Sequence, residues 1–196
     1  LLYGLLTINW AISTDFQQTY RFLKRKITYR KALQPIRQWV ILIFTKVLYV
    51  SIWIVVPMLF LEMAWWKILI GFFAMHYVAG LILSLVFQLA HTVDEAEFPV
   101  PVQPANKIEE DWAIHQLQTT ANFATKNKIY TWLFGGLNYQ IEHHLFPKIS
   151  HIHYPVISNI VKATCQDFNV KYIEYPKMKL AIHAHVNHLK NMGIKK

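Results

Sequence analysis

The sequence predicts a mainly α-helical integral membrane protein, a transmembrane helical hairpin followed by a helical cytosolic cap. Three observations carry this expectation. Two stretches, 39–61 and 68–90, are long and apolar, a run of cations without acids precedes the first, and charges of both signs return after His91. Hydrophobic residues make up 54% of the 196, too many for an ordinary soluble domain, and the formal net charge is +9. The cations gather beside an apolar span instead of interleaving with exposed aromatics, which argues against a nucleic-acid partner. The single cysteine, Cys165, excludes an internal disulfide and is read as packing.

Taken in order, the chain opens inside an apolar run, "LLYGLLTINWAI", with no initiator Met and no signal-peptide pattern. Residues 1–19 are therefore read as the end of an upstream helix, and the chain as the C-terminal portion of a longer protein. Residues 20–38 form a basic cytosolic segment carrying Arg21, Lys24, Arg25, Lys26, Arg30, Lys31 and Arg37. The positive-inside rule puts it on the cytoplasmic side, as a solvated loop on anionic headgroups, with a specific phosphate-group site as the alternative.

The transmembrane hairpin covers 39–90. Residues 39–61 are long enough, at ~1.5 Å per residue, to cross a ~30 Å hydrocarbon core. Lys46 is expected to snorkel toward the basic side and Pro57 to kink the far end. "EMAWWK" is a turn with two interfacial tryptophans, and 68–90 is the return span, so both outer ends lie on the cytoplasmic side. His76 sits near the middle of that span. An ionisable group there points to function, yet a neutral His bonded to a neighbouring helix is the preferred reading. It lies ~22 Å from His91 along an unbroken helix, so the two cannot serve one metal centre.

Residues 91–196 form the cytosolic region, where no later window is apolar and long enough to span. "DEAEFPVPVQPAN" is a Pro-punctuated loop, and Asn106 with Glu109 resembles a capping box that opens a helix through about Ala124. "HYPVISNIVKATCQDFN" reads as a helix with Val156, Ile157, Ile160, Val161 and Phe168 on its apolar face. "VKYIEYP" is extended, and "MKLAIHAHVNHLKNMG" is a final helix stopped at Gly193.

Within this region "GGLNYQIEHHLFP" holds the candidate chemistry. On a helix, positions i, i+3 and i+4 share a face, so Gln140, His143 and His144 converge while Glu142 points elsewhere. At the end of the second span "VFQLAH" places Gln88 and His91 where they could meet that cluster. Imidazoles suit Fe, Zn, Cu and Ni alike, and the lack of cysteine ligands argues against structural zinc and iron–sulfur clusters. A His-rich site with carboxamide neighbours at a membrane surface points to non-haem iron. His151 and His153, beyond Pro147, are read as surface or capping residues, and His183, His185 and His188 as the polar side of the terminal helix.

"YQIEHHLFP" resembles the third histidine box, Q-x-x-H-H, of the membrane fatty acid desaturases, in particular their front-end branch. "FQLAHTVDEAEFP", "DWAIHQLQTTANFA", "HHLFPKISHIHYPVI" and "AIHAHVNHLKNMG" are similar to bacterial acyl-CoA (linoleoyl-CoA-like) desaturases over most of the chain. The resemblance implies a di-iron enzyme that uses O₂ and two electrons to place a cis double bond in an acyl chain carried by CoA or a lipid. It makes His91, His143 and His144 the catalytic iron ligands, supported by Gln140, Gln88 and His115. An amide is a poor iron ligand, so Gln140 is assigned to orienting a His or a metal-bound water.

Breaking an unactivated aliphatic C–H bond exceeds what acid–base side chains can do, so a metal with O₂ must carry the chemistry. Trp112, Phe123, Trp132 and Phe134 are candidate walls for the acyl chain. The implied partners are the acyl substrate, O₂, the bilayer, and cytochrome b5 or a ferredoxin as electron donor. The sequence departs from the family in lacking its first two boxes, H-x-x-x-H and H-x-x-H-H. Three histidines cannot complete two iron shells, so these residues alone are expected to be inactive. A lipid hydroxylase on the same scaffold and a non-catalytic lipid-binding membrane protein are the competing readings.

Overall fold

The computed structural model describes residues 2–24, 34–100 and 111–194. The proposed capping box at Asn106 and Glu109, the end of the Pro-punctuated loop, and Arg25, Lys26, Arg30 and Lys31 lie outside the described residues. The chain divides into two compact units, Leu1–Ser84 and Leu85–Lys196. Both are mainly helical, as expected.

The first unit holds three helical runs. The first is α1 (Leu6–Asn9) and α2 (Asp15–Lys24), joined through a π turn at Trp10–Thr14. The second is α3 (Pro35–Val50) and α4 (Val56–Phe60), joined through a π turn at Ser51–Val55. The third is α5 (Trp65–His91), whose last turns belong to the second unit. Pro35 opens α3 at a position where a missing N–H costs nothing. Pro57 has no N–H to offer one turn back, and the wide π turn before it is where the ladder adjusts. The expected 39–61 starts earlier and ends one residue sooner, the expected 68–90 is longer at both ends, and Pro35–Phe60 and Trp65–His91 are long and apolar enough to cross a membrane.

Many apolar side chains of this unit turn outward, while His76 and Ser84 are buried. Ile36, Val40, Phe44 and Val47 on α3, and Ile70, Phe73 and Val78 on α5, are exposed. His76 is buried and bonded to neighbouring helices, to the Tyr49 hydroxyl and to Thr7 Oγ1 at 3.0 Å, the reading preferred for it. Lys46 is bonded to Asp15, whose Oδ2 lies 2.6 Å from its ammonium. Close approach comes from glycine: a Cβ on Gly80 would collide with the Gly4 backbone carbonyl.

The second unit packs α6 (Trp112–Gln118), α7 (Lys128–Leu133), α8 (Gln140–Leu145), α9 (Tyr154–Asp167) and α10 (Met178–Ile194) with a short parallel pair, β1 (Asn122–Phe123) and β2 (Glu174–Tyr175). The helix expected to run to Ala124 stops at Gln118. Beyond it the backbone N–H groups bond to distant carbonyls instead of the preceding turn: Ala121 to Ala90, Asn122 to Ile173 and Ala124 to Tyr175. Asn127 caps α7 by accepting from the Ile129 and Tyr130 amides. Gly135 and Gly136 take positive φ between α7 and α8, and a Cβ on Gly136 would strike His151 Cβ at 2.6 Å.

Three sequence expectations for this unit are corrected. The buried face of α9 is Tyr154, Val161 and Cys165, with Ile157 packed beside them, whereas Val156, Ile160 and Phe168 are exposed. α8 and α6 lie against α9 through Ile141 and Leu117, and that contact selects the 154/157/161/165 stripe. α10 runs through Gly193 to Ile194. His185 is on its buried side, where Nδ1 lies 2.6 Å from the Thr92 carbonyl, and only His183 is plainly exposed. Cys165 is buried, as read.

Glu174 ties β2 to its surroundings, accepting from Lys162 Nζ at 2.5 Å and Thr125 Oγ1 at 2.6 Å. Burial pushes its carboxyl up, but the bonds from Lys162 and Thr125 and the charges of Lys162 and Lys126 outweigh it, leaving the group below its ordinary value. Its contribution to stability is therefore complete above the unfolded-state value and is lost as pH falls through the lower folded value. Thermal midpoints measured from neutral pH down into the acid range should fall for the wild type, and Glu174→Gln should flatten part of that slope. In the first unit, Gly80→Leu should lower the midpoint in detergent through overpacking that costs about 1–3 kcal/mol or more.

Candidate metal centre

Four elements bring the candidate residues together within the second unit. His91 is the last residue of α5, and His143 and His144 occupy the last turn of α8. α6 supplies Gln116, and the chain after it supplies the Thr119 carbonyl. The His91 and His144 rings face each other with centroids 5.1 Å apart, and the His143 and His144 rings lie at 5.8 Å.

The hydrogen bonds define what each ring can do. A carbonyl oxygen can only accept, so the Thr119 carbonyl, 3.2 Å from His91 Nδ1, holds the proton there and leaves the Nε2 lone pair as the ligating one. Gln116 Oε1 accepts from His144 Nδ1 at 2.7 Å and fixes the same tautomer. Gln140 Nε2 lies 3.2 Å from His144 Nε2 and, with this tautomer, donates to its lone pair, a bond that must open before His144 can ligate a metal. Burial, followed by the neighbouring His91 and His143 rings, pushes the His144 imidazole down to about 4, so it stays neutral near physiological pH. His143 turns toward Tyr154, with Nδ1 3.4 Å from the phenol oxygen.

This donor set fits part of a metal shell. Neutral imidazoles with an oxygen acceptor behind Nδ1 are the arrangement metal-binding histidines use. The Gln140 Oε1 atom is buried without a hydrogen-bond partner, a polar atom that a bound group or water would satisfy. Among the described residues, no three His, Cys, Asp or Glu side chains are grouped so as to hold one ion. Of the candidates, His91 and His144 are the pair whose rings approach most closely, and they could supply part of a shell, whereas His143 is turned toward Tyr154.

The other sequence candidates are scattered. Gln88 stands one turn before His91, with its carbonyl bonded to the Thr92 amide. His115 has a buried Nδ1 without a hydrogen-bond partner. Trp112 lines an apolar cavity of about 370 Å³ with Leu117, Leu145, Val161 and Cys165. Phe123 is fully buried in the core cluster beneath β1, and Phe134 packs against it at 6.1 Å. Trp132 is exposed. Of the four aromatics, Trp112 alone lines this cavity. His151 and His153 are exposed, as read.

Sequence reasoning missed the supports. Gln116 and Thr119 stand three apart in "DWAIHQLQTT", at one-face helical spacing, but attention there goes to His115. It also missed Glu142, which is buried against Asn122 Nδ2 at 2.7 Å and the Tyr172 hydroxyl at 2.9 Å.

The chain thus has two helices long and apolar enough to cross a membrane and, in its second unit, a pair of tautomer-fixed histidines. The family model described as fatty acid desaturase matches residues 1–176, and this chain belongs to that family. It is 45% identical over 127 residues to the sn-1 linoleoyl-lipid 6-desaturase of Synechocystis sp., covering 65% of this chain and 35% of that one. It is 34% identical to the acyl-lipid (8-3)-desaturase of Physcomitrium patens, covering 99% of this chain and 40% of that one. The acyl-lipid (8-3)-desaturase of Mortierella alpina is 35% identical, covering 99% of this chain and 42% of the relative. The chain thus spans well under half the length of these curated relatives. No solved structure matches it.

Gln116→Ala frees the His144 ring to rotate and exchange tautomers. Titrating the protein expressed from its complete gene with cobalt(II) should show binding weakened roughly 10–100-fold, the usual cost of losing such a partner.

Proposed function

We propose that this chain carries the C-terminal share of the metal shell of an O₂-dependent front-end acyl desaturase, which introduces a cis double bond into a lipid-linked acyl chain. The observation that carries the reading is the His91–His144 pair, two imidazoles 5.1 Å apart whose Nδ1 protons are both held by oxygens from the α6 segment. The names of the relatives, a linoleoyl-lipid 6-desaturase and acyl-lipid (8-3)-desaturases, support both the reaction and the acyl-lipid carrier over a CoA ester.

In this reading His91, His143 and His144 hold non-haem iron, completed by ligands from outside the described residues. The di-iron centre, when bound, supplies the oxidising power that side chains lack. The residues of this chain position it. Thr119 and Gln116 fix the ring orientations, the neutral state of His144 leaves a lone pair on Nε2, and Gln140, which donates to that lone pair, turns away when the metal binds. The apolar cavity beside Trp112 and Leu145 seats part of the acyl chain, because its walls offer van der Waals contact and no competing hydrogen bonds.

The same reading places Pro35–Phe60 and Trp65–His91 across the bilayer as a hairpin, supported by their length and by their outward apolar side chains. The basic segment 20–38 and the region 91–196 lie on the cytoplasmic side. His91 then sits at the membrane boundary, where an acyl chain can leave the lipid and where cytochrome b5 or a ferredoxin can deliver electrons.

The test is the fatty-acid profile of a yeast host fed linoleate and expressing the complete gene. A new double bond should appear with the wild type. His143→Ala and His144→Ala, at equal protein level, should abolish it, a loss exceeding the roughly 10–100-fold cost of an outer-shell change. An unchanged profile in both variants supports a lipid-binding role instead.

A further inference from the structure

The chemistry described above uses Gln140, His143 and His144 on α8 and leaves the other side of that helix unexplained. That side carries Glu142, a fully buried carboxylate between Gln140 and the two histidines. Among the described residues no cation pairs with it. Its partners are the Asn122 amide, with Nδ2 at 2.7 Å from Oε2, and the Tyr172 phenol, with the hydroxyl at 2.9 Å from Oε1. Burial raises the carboxyl above its ordinary value, with those two hydrogen bonds pulling the other way.

Asn122 holds more than the carboxylate. Its Oδ1 accepts from the Ile141 backbone amide at 2.9 Å, and its Nδ2 also lies 2.7 Å from the Tyr172 hydroxyl. One fully buried side chain therefore grips α8 at two points, a backbone N–H in the first turn and the side chain of the next residue. Asn122 and Tyr172 are themselves set by the strand pair, because Asn122 lies on β1 and its amide bonds to the Ile173 carbonyl beside Tyr172.

We propose that Asn122, Glu142 and Tyr172 form a positioning clamp that fixes the rotation of α8 about its axis, and with it the direction in which His143 and His144 present their lone pairs. This deepens the desaturase reading and rests on it. The geometry motivates it in two ways. A helix of six residues has too little ladder of its own to hold an orientation. A buried carboxylate is also a poor choice for stability alone, since apolar residues of similar volume often serve as well or better, whereas directional bonds to Oε1 and Oε2 specify an angle. With histidines one and two residues further on, a small rotation of α8 moves both rings at once.

The clamp is tested with a matched pair of single-atom deletions in the protein expressed from its complete gene. Tyr172→Phe removes a phenol bonded to Glu142 at 2.9 Å, and Tyr175→Phe removes a phenol bonded to Asp94 at 2.9 Å in the same unit but away from α8. Both rings stay in place, with Tyr172→Phe losing the bonds to Glu142 and from Asn122 and Tyr175→Phe the bond to Asp94, so both should lose some thermal stability, Tyr172→Phe the more. Cobalt(II) affinity and its ligand-field spectrum separate them. Tyr172→Phe should weaken cobalt binding roughly tenfold or more and shift the spectrum, while Tyr175→Phe leaves both unchanged. Asn122→Ala, which removes both grips, should do more.

Equal cobalt affinity in Tyr172→Phe and wild type overturns the clamp, as does an equal loss in both phenylalanine variants. If wild type binds cobalt and His144→Ala does not, the metal reading survives that failure. If wild type binds none, both fall together.

Discussion

The second unit depends on a fully buried carboxyl group that has no cationic partner among the described residues. Glu142 is fully buried, and an isolated charge in such a place is costly unless hydrogen bonds replace its hydration. Meeting that demand requires Asn122 and Tyr172 together, which in turn requires the parallel register Asn122↔Glu174 and Phe123↔Tyr175. The two-residue strands are too short to stabilise anything by their ladder. Their role is to bring an amide and a phenol from segments fifty residues apart to one side chain on α8.

The opposite side of α8 faces a second constraint, from α6. Gln116 and the Thr119 carbonyl reach two different histidines from one segment, so the end of α5 and the end of α8 share a common set of acceptors. This explains why the helix stops at Gln118. Continuing it would spend the Thr119–Ala124 backbone on its own ladder, whereas ending it there frees Ala121, Asn122, Phe123 and Ala124 to bond to Ala90, Ile173, Asn138 and Tyr175. Local helical propensity loses to several tertiary bonds.

What could be read from the sequence follows from this division. Apolar runs of membrane length report themselves in any window, so α3 with α4 and α5 were legible to within a few residues. The Gln140/His143/His144 face was legible because i, i+3, i+4 is a local rule, and the Gln140–His144 contact obeys it. Gln116, Asn122, Tyr172 and the early stop of α6 were not, because each is defined by a partner tens of residues away. The exposed Val156, Ile160 and Phe168 show a related limit, since periodicity marks an apolar stripe on α9 without saying which part of it meets Ile141 and Leu117. His185 was misread for the same reason, its partner being the Thr92 carbonyl.

The central claim is that His91, His143 and His144 ligate iron through lone pairs aimed by α6 and α8. The most direct measurement is iron per polypeptide, with the iron K-edge X-ray absorption spectrum, in the membrane protein purified from its complete gene and in His91→Ala and His144→Ala. The account predicts imidazole scattering from two irons in the wild type, with iron lost from each variant while the polypeptide remains in the membrane. Iron content and imidazole scattering unchanged in both variants would contradict it.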